Sequence, residues 1–408
     1  MEIRRDYYLD KLVKRKNNGL VKVITGIRRC GKSYLLNRIF YGHLVESGVE
    51  ESHIIRFAFD SADDLESIGE SPIRMERERR GADPEKFMAY IRSKVTEDGM
   101  YYLLLDEVQL MDAFEAVLNS YLRKDNIDVF VTGSNAKFLS KDIATEFAGR
   151  GDEVHIYPLS FAEFMSAYKG DKYTGLSEYM LYGGIPLVVL REGAESKAAM
   201  LSNLFNGIYI QDILKRNRVR NTGEIEDLLD ILSSSTGSLT NPEKLADTFH
   251  SVKKSRITAK TIKKYLDAFE DSFLIEPALR YDIRGRAYIE TPRKYYFSDL
   301  GLRNARINFR QLEQKHSMEN VIYNELRMRG WNVDFVCNLG SSRCYIQSAY
   351  SLPDEAKREQ ETRPFRRIDD SFKKIIITKD PVLPCYDDRG ILTLGIYDFL
   401  LDPKALER

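Results

Sequence analysis

Gly26-Ile27-Arg28-Arg29-Cys30-Gly31-Lys32-Ser33 satisfies G-x-x-x-x-G-K-[ST] at every fixed position, between an apolar run and a helical pattern. Glycines let backbone N–H groups turn inward around phosphate oxygens, and the helix starting near Gly31 adds the positive end of its dipole. Lys32 reaches towards outer phosphates and the Ser33 hydroxyl suits Mg²⁺. Gly26, Ile27, Arg28, Arg29, Cys30, Gly31, Lys32, Ser33 and Tyr34 are therefore the candidate nucleotide-binding residues. A second run, YYLLLDEVQ, delivers Asp106 and Glu107 together at its carboxyl end. Two adjacent carboxylates beside a buried strand are costly unless a cation and a water use them. Asp106 is thus the expected partner of a metal held by Ser33, and Glu107 the base that polarises an attacking water.

A third run ends in VTGSNAKFL, setting Ser134 and Asn135 at the same sheet edge, where a polar side chain can orient the water. A plain turn or helix cap is the alternative. Arg150, between two glycines, is the candidate for stabilising charge on the γ-phosphate in a neighbouring subunit, weighed against a surface arginine. Cys30 lies inside the loop, either open to oxidation that blocks nucleotide entry or simply small enough to fit. No G-x-G-x-x-G opens a helix and no kinase set of motifs is present, which leaves a nicotinamide, flavin or kinase site without support.

The positioning elements follow from periodicity. Residues 21–25, 53–59, 101–106, 128–132 and 153–157 read as strands separated by amphipathic stretches, the pattern of a parallel sheet covered by helices. Asp83 followed by Pro84 marks a helix start, with Phe87, Tyr90, Ile91 and Val95 as its apolar stripe. Residues 74–81 are a charge run, expected on a solvated helix or loop. Beyond 164 helical pattern dominates to about residue 272, broken by YGGIP (182–186) and by the Ser, Thr and Asn cluster at 233–242. A basic hairpin turning at Arg284-Gly285 and a mixed α/β tail complete the chain.

At 408 residues the chain is long enough for two to four domains. Its 62 basic and 62 acidic residues cancel, so attraction to nucleic acid or an anionic membrane must be local. No signal-like amino terminus and no long apolar window appear, and a cytoplasmic protein without a membrane partner is expected. Four cysteines lack metal-ligand spacing with the five histidines and read as free thiols.

Taken with TGIRRCGKSYLL, YLLLDEVQ, VTGSNAKFLS, EFAGRGDEVHIYPLSFAEF, YMLYGGIPLVV, TIKKYLDAFEDSFLI, RYDIRGRAYIETPRKYYFSDLGLRNA and MENVIYNELRMRGWNVDF, the chain resembles prokaryotic AAA-type ATPases that carry a carboxyl-terminal DUF4143 domain. The resemblance covers nearly the whole chain. It implies an α/β P-loop ATPase core with helices on both faces of a parallel sheet over 1–165, and a helical lid or linker over 166–220. A winged-helix-like segment over 221–300 and a PD-(D/E)xK nuclease-like domain over 301–408 would follow. It also implies ATP as the nucleotide. Relatives often carry an arginine where this chain has Ala148, which leaves Arg150 as the finger candidate. Relatives also carry a charged insert between the helix ending in RGWNV and the strand ending in DFV, absent here between Val333 and Asp334.

Between 251 and 264 the chain carries Lys253, Lys254, Arg256, Lys260, Lys263 and Lys264 and no acid. A helix is expected after Thr258, with Ile262, Leu266, Phe269 and Phe273 on one face and Lys260, Lys263 and Lys264 turned elsewhere. With Arg284 and Arg286 as a wing, this suits duplex DNA, although winged helices also serve protein contacts. For nuclease chemistry Asp334 fits the first acid, and Glu319 or Glu325 could add a carboxylate. Tyr345 and Gln347 stand where the second acid and the lysine belong, so nuclease activity is not expected. The reading is Mg²⁺-dependent ATP hydrolysis, in a chain open to homo-oligomer formation, coupled to rearrangement of the rear domains. The alternatives are a slow nucleotide-dependent scaffold binding protein and a DNA-cutting effector.

Overall fold

The computed structural model describes residues 3–78, 80–133, 149–211, 213–214, 222–278, 292–310, 313–333, 336–340 and 342–408. Ser134, Asn135, Ala148, Arg284, Arg286 and Asp334 lie outside the described residues. The chain divides into two compact units, residues 4–156 and residues 157–408 with residues 1–3.

In the first unit the five expected runs form strands β1 (Val21–Thr25), β2 (Ile54–Ala58), β3 (Tyr101–Asp106), β4 (Ile127–Thr132) and β5 (Gly151–His155). Every pairing is parallel and the order is β2-β3-β4-β1-β5. β1, β3 and β4 are buried at every residue, so they read as continuous runs without alternation. The helix Pro84–Lys94 starts as the sequence predicts, the Asp83 carboxylate accepting from the N–H groups of Glu85 and Lys86. Its Phe87 and Ile91 pack with Phe57, Leu103, Leu118 and Val129 into one core. The charge run begins inside a helix, Pro72–Glu78, that buries Met75. Lys22 departs from the apolar reading of β1: fully buried, it is ion-paired with Asp128 on β4. Burial lowers the pKa of this ammonium and Asp128 raises it.

Parallel pairing has one consequence for chemistry. Registers Ile24↔Thr132 and Leu105↔Val131 bring the carboxyl ends of β1, β4 and β3 out at the same edge. Thr25, Asp106 and Thr132 therefore end on a common rim, the side on which ligands meet open α/β sheets.

In the second unit, helices Phe161–Ala167 and Lys172–Tyr182 share a hydrophobic core with helix Gln314–Met328 and the last sheet, through Phe161, Phe164, Leu176, Met318, Ile375 and Leu394. Next come helix Thr222–Ser234, β6 (Leu239–Thr240), helices Pro242–Lys253 and Ala259–Asp271, β7 (Ile275–Ala278) and β8 (Arg293–Phe297). The three strands form an antiparallel sheet in the order β6-β8-β7. The last sheet holds β9 (Asn332–Val333), β10 (Cys337–Leu339), β11 (Ser342–Ala349), β12 (Lys373–Thr378), β13 (Cys385–Tyr386) and β14 (Ile391–Gly395), ordered β13-β14-β12-β11-β10-β9. Buried Asp299 ties the YGGIP break to the helix that follows it, Leu300–Arg306, accepting from the N–H groups of Gly184 at 2.7 Å and Leu302 at 3.0 Å.

Helix Ala259–Asp271 begins after Thr258, whose hydroxyl accepts the Thr261 N–H at 3.3 Å, and it buries Ile262, Leu266 and Phe269. Phe273 is not on that helix: it follows the end, at φ 56°. Lys260, Lys263 and Lys264 are exposed. Among the described residues no helix is long and apolar enough to cross a membrane.

Candidate nucleotide site

At the end of β1 the chain turns sharply. Gly26 has φ +137°, and a Cβ there would lie 2.1 Å from the carbonyl oxygen of Ile156, so only glycine fits. Gly31, also at positive φ, precedes the helical turn Lys32–Tyr34, which widens into a π-helical stretch, Leu35–Phe40, and returns to α-helix over Tyr41–Glu46. The Lys32 ammonium is buried and folded back into the loop, donating to the carbonyls of Gly26 at 2.9 Å and Ile27 at 3.1 Å. Among the described residues no carboxylate pairs with it. A buried cation satisfied by neutral carbonyls is suited to an incoming anion.

Around Lys32 the rest of the loop is ordered by its own chain. The buried Cys30 gives its carbonyl to the Arg5 guanidinium at 3.1 Å. Arg28, Arg29, Ser33 and Tyr34 are exposed, while Ile27 is buried.

Across the rim, the Ser33 hydroxyl lies near enough to the Asp106 carboxylate to lower its pKa, so the two expected metal-holding residues are neighbours. The Thr132 hydroxyl donates to Asp106 Oδ1, and Asn37 Nδ2 approaches Oδ2 at 3.4 Å. Burial pushes the Asp106 carboxyl above its ordinary range; the hydroxyls of Thr132 and Ser33 pull it back, and the charges of Glu107 and Asp60 push it up again. Glu107 sits in the left-handed region, φ 51° and ψ 45°, with its N–H held by Thr132 Oγ1 at 3.0 Å. The Gln109 amide donates to the Glu107 carboxylate. A hydroxyl and a carboxylate are hard oxygen donors, and two further carboxylates raise local negative charge, so these residues fit Mg²⁺.

Not every expected residue joins this cluster. Arg150 lies just before β5, whose first residue pairs with Val21 at the beginning of β1, whereas the phosphate loop leaves β1 at its far end. Its guanidinium donates to Asn119 Oδ1 at 3.3 Å. Within its own chain Arg150 is thus at the opposite edge of the sheet from Lys32. In the second unit, Glu319 accepts from Lys294 Nζ at 2.7 Å and the Tyr296 hydroxyl at 2.6 Å, and the buried Glu325 pairs with Arg329 at 2.7 Å. Both carboxylates offered for a nuclease site are taken up by groups of the same chain. Tyr345 donates to Asp370 at 2.5 Å and Gln347 to Glu361 at 3.0 Å.

Three residues of the site escape sequence reasoning: Thr132, Asn37 and Gln109. The signal for Thr132 lies in register, because it ends β4 level with the end of β3. Asn37 faces Asp106 from the π-helical stretch, a widening that residue types do not announce.

Residues 18–165 match the model of a family described as an AAA domain. Over 98% of its length the chain is 33% identical to an uncharacterized protein of Haemophilus influenzae, covering 98% of that protein. The chain belongs to a family of AAA-type P-loop proteins. Behind the AAA domain, residues 173–313 match a domain of unknown function, DUF8612, in the region for which the resemblance implies DUF4143. Among solved structures, the Aeropyrum pernix ORC1 protein in complex with DNA is 11% identical with a TM-score of 0.34, overlapping 76% of this chain and 93% of that one. AMPPCP-bound DnaA from Aquifex aeolicus is 15% identical with a TM-score of 0.33, overlapping 66% and 88%. In this AAA-type chain the match spans all five strands of the parallel sheet and the phosphate loop.

Proposed function

We propose that the chain binds ATP with Mg²⁺ on the rim formed by β1, β3 and β4 and hydrolyses it, using the cycle to rearrange its rear segments or to act on a macromolecule. The observation that carries this reading is the nearness of the Ser33 hydroxyl to the Asp106 carboxylate, on the rim that also holds the buried Lys32. Mg²⁺ bound there would offset phosphate charge and act as a Lewis acid. Lys32 binds outer phosphate oxygens, releasing the carbonyls of Gly26 and Ile27. Ser33 and Asp106 would hold the cation. Glu107 takes the proton of the attacking water at its carboxylate, which Gln109 orients and Thr132 steadies through the backbone. Ser134 or Asn135 positions the water, and Arg150 acts between copies of the chain, since it lies away from its own phosphate loop. The test is turnover: Lys32→Ala is expected to abolish ATP binding, and Glu107→Gln to bind ATP without hydrolysing it. A Glu107→Gln chain hydrolysing at the parental rate contradicts the assignment.

A second surface is favoured by the exposed Lys260, Lys263 and Lys264 on a helix whose other face is buried. The order helix, strand, helix, helix, strand, strand over 222–297 supports a winged-helix reading in which this helix meets duplex DNA phosphates. Stimulation of hydrolysis by duplex DNA supports it; slow turnover indifferent to DNA, with nucleotide co-purifying, supports the scaffold reading instead.

A further inference from the structure

Among the described residues, one group of metal-ligating side chains stands apart from the phosphate loop: Glu50, His53 and Glu97. The turn leading into β2 is a 3-10 turn over Glu51–His53, closed by the His53 N–H on the Glu50 carbonyl at 2.9 Å. Glu50, extended at φ −62° and ψ 139°, leads into this turn, and its carboxylate lies near the His53 imidazole. Glu97 arrives from the turn between helix Pro84–Lys94 and β3. One ligand atom from each residue lies within 4.8 Å of the other two.

The imidazole is held by packing rather than by hydrogen bonds. Its ring lies on Tyr101, the first residue of β3, with centroids 4.4 Å apart. Gly99, at φ +135°, passes so close beneath that a Cβ there would meet Cε1 at 2.8 Å. His53 Nε2 is shut off from solvent and has no hydrogen-bond partner. A carboxylate oxygen of Glu97 faces it at 3.8 Å, beyond hydrogen-bond reach. Polar atoms enclosed in this way normally find a partner. Zinc bonds imidazole nitrogen and carboxylate oxygen at about 2.0–2.2 Å, so one ion can bridge two atoms that far apart.

We propose that Glu50, His53 and Glu97 bind a divalent transition cation of the zinc class, with its remaining position open to water. One imidazole with two carboxylates selects such an ion over Mg²⁺ or Ca²⁺, which take oxygen throughout. The ion fastens the turn before β2 to the turn before β3. It sits where these strands begin, while Ser33 and Asp106 lie close together where strands end, so it is distinct from the cation that accompanies a nucleotide.

The test is Zn²⁺ binding by the chelator-stripped, full-length chain, read by equilibrium dialysis and by the shift in melting temperature. Loss of even an outer partner of a metal ligand lowers affinity by about 10–100-fold. His53→Gln and Glu97→Gln are therefore each expected to weaken one Zn²⁺ equivalent at least about tenfold and to remove its thermal shift. Asp106→Asn is expected to leave both unchanged. Glu97 is a surface side chain, so its variant decides the matter if the His53 variant fails to fold. A parent chain that binds no Zn²⁺, or variants that keep its stoichiometry and affinity, would overturn the site.

Discussion

Replacing Thr132 by Val preserves the shape of a wholly buried side chain and removes a single oxygen. That oxygen makes two bonds, donating to Asp106 and accepting the Glu107 N–H at 3.0 Å. A hydrogen bond to a charged group contributes about 1.5–3 kcal/mol and a neutral one about 1 kcal/mol, so the loss is about 2.5–4 kcal/mol. Part of it falls on Glu107, whose left-handed backbone costs about 1 kcal/mol or more to maintain and loses its anchor. The rest falls on Asp106, whose carboxyl, already raised by burial, rises further without the hydroxyl. Urea unfolding is expected to show a loss of about 2.5–4 kcal/mol. Single-turnover hydrolysis of ATP is expected to slow by about 10–100-fold, equivalent to about 1.4–2.7 kcal/mol of barrier. Nucleotide affinity should move by no more than about threefold, and Thr132→Ser should recover most of the rate. A Val variant that turns over like the parent, or a Ser variant as slow as Val, would refute the role given to this hydroxyl.

Glu270, on helix Ala259–Asp271, is raised from 4.5 to about 7 by burial; Arg293 and Lys263 pull it down, and Asp267 and Asp271 push it up. A carboxyl that holds its proton more tightly when folded costs stability as pH rises from about 4.5 through about 7, here about 1–3 kcal/mol. Glu270→Gln is expected to flatten that decline and to be more stable than the parent at alkaline pH in urea melts; a parent whose stability does not fall across this window contradicts it. Gly26→Ala, whose new methyl would meet the Ile156 carbonyl, is expected to abolish nucleotide retention on dialysis, and an Ala variant that retains it would show that the loop tolerates the shift. Changing Lys260, Lys263 and Lys264 to Glu is expected to remove duplex DNA retention at low salt and to lower the salt slope of binding by about 3, and unchanged retention eliminates this surface.

What could be read from the chain was mostly local. The five strands, the start of helix Pro84–Lys94 at Asp83 and the start of helix Ala259–Asp271 at Thr258 depend on neighbours within a turn or a strand, and they appear within two residues of where residue types placed them, β5 at 151–155 rather than 153–157. The nearness of Ser33 to Asp106 was legible because parallel strands carry their carboxyl ends to one rim. Partners set by register were not legible. Lys22 finds Asp128 and Thr132 finds both Asp106 and Glu107 only once β4 lies between β1 and β3, an order no single segment states. Helix Phe161–Ala167 falls almost wholly within the 1–165 core and helix Lys172–Tyr182 within the 166–220 lid or linker that the resemblance implies, whereas their Phe161, Phe164 and Leu176 are buried with Ile375 and Leu394. The same blindness hides His53, whose partners depend on how two loops end.

That Ser33 and Asp106 serve one cation bound together with the nucleotide is tested most directly by the affinity of a non-hydrolysable ATP analogue, with and without Mg²⁺, for the parent, Ser33→Ala, Asp106→Asn and doubly substituted chains. Mg²⁺ is expected to tighten binding to the parent by a factor in the range of about 5–150. Each single substitution should remove most of that gain, and the pair should remove no more than either alone. A Mg²⁺ enhancement that persists undiminished in either single variant would contradict the shared site.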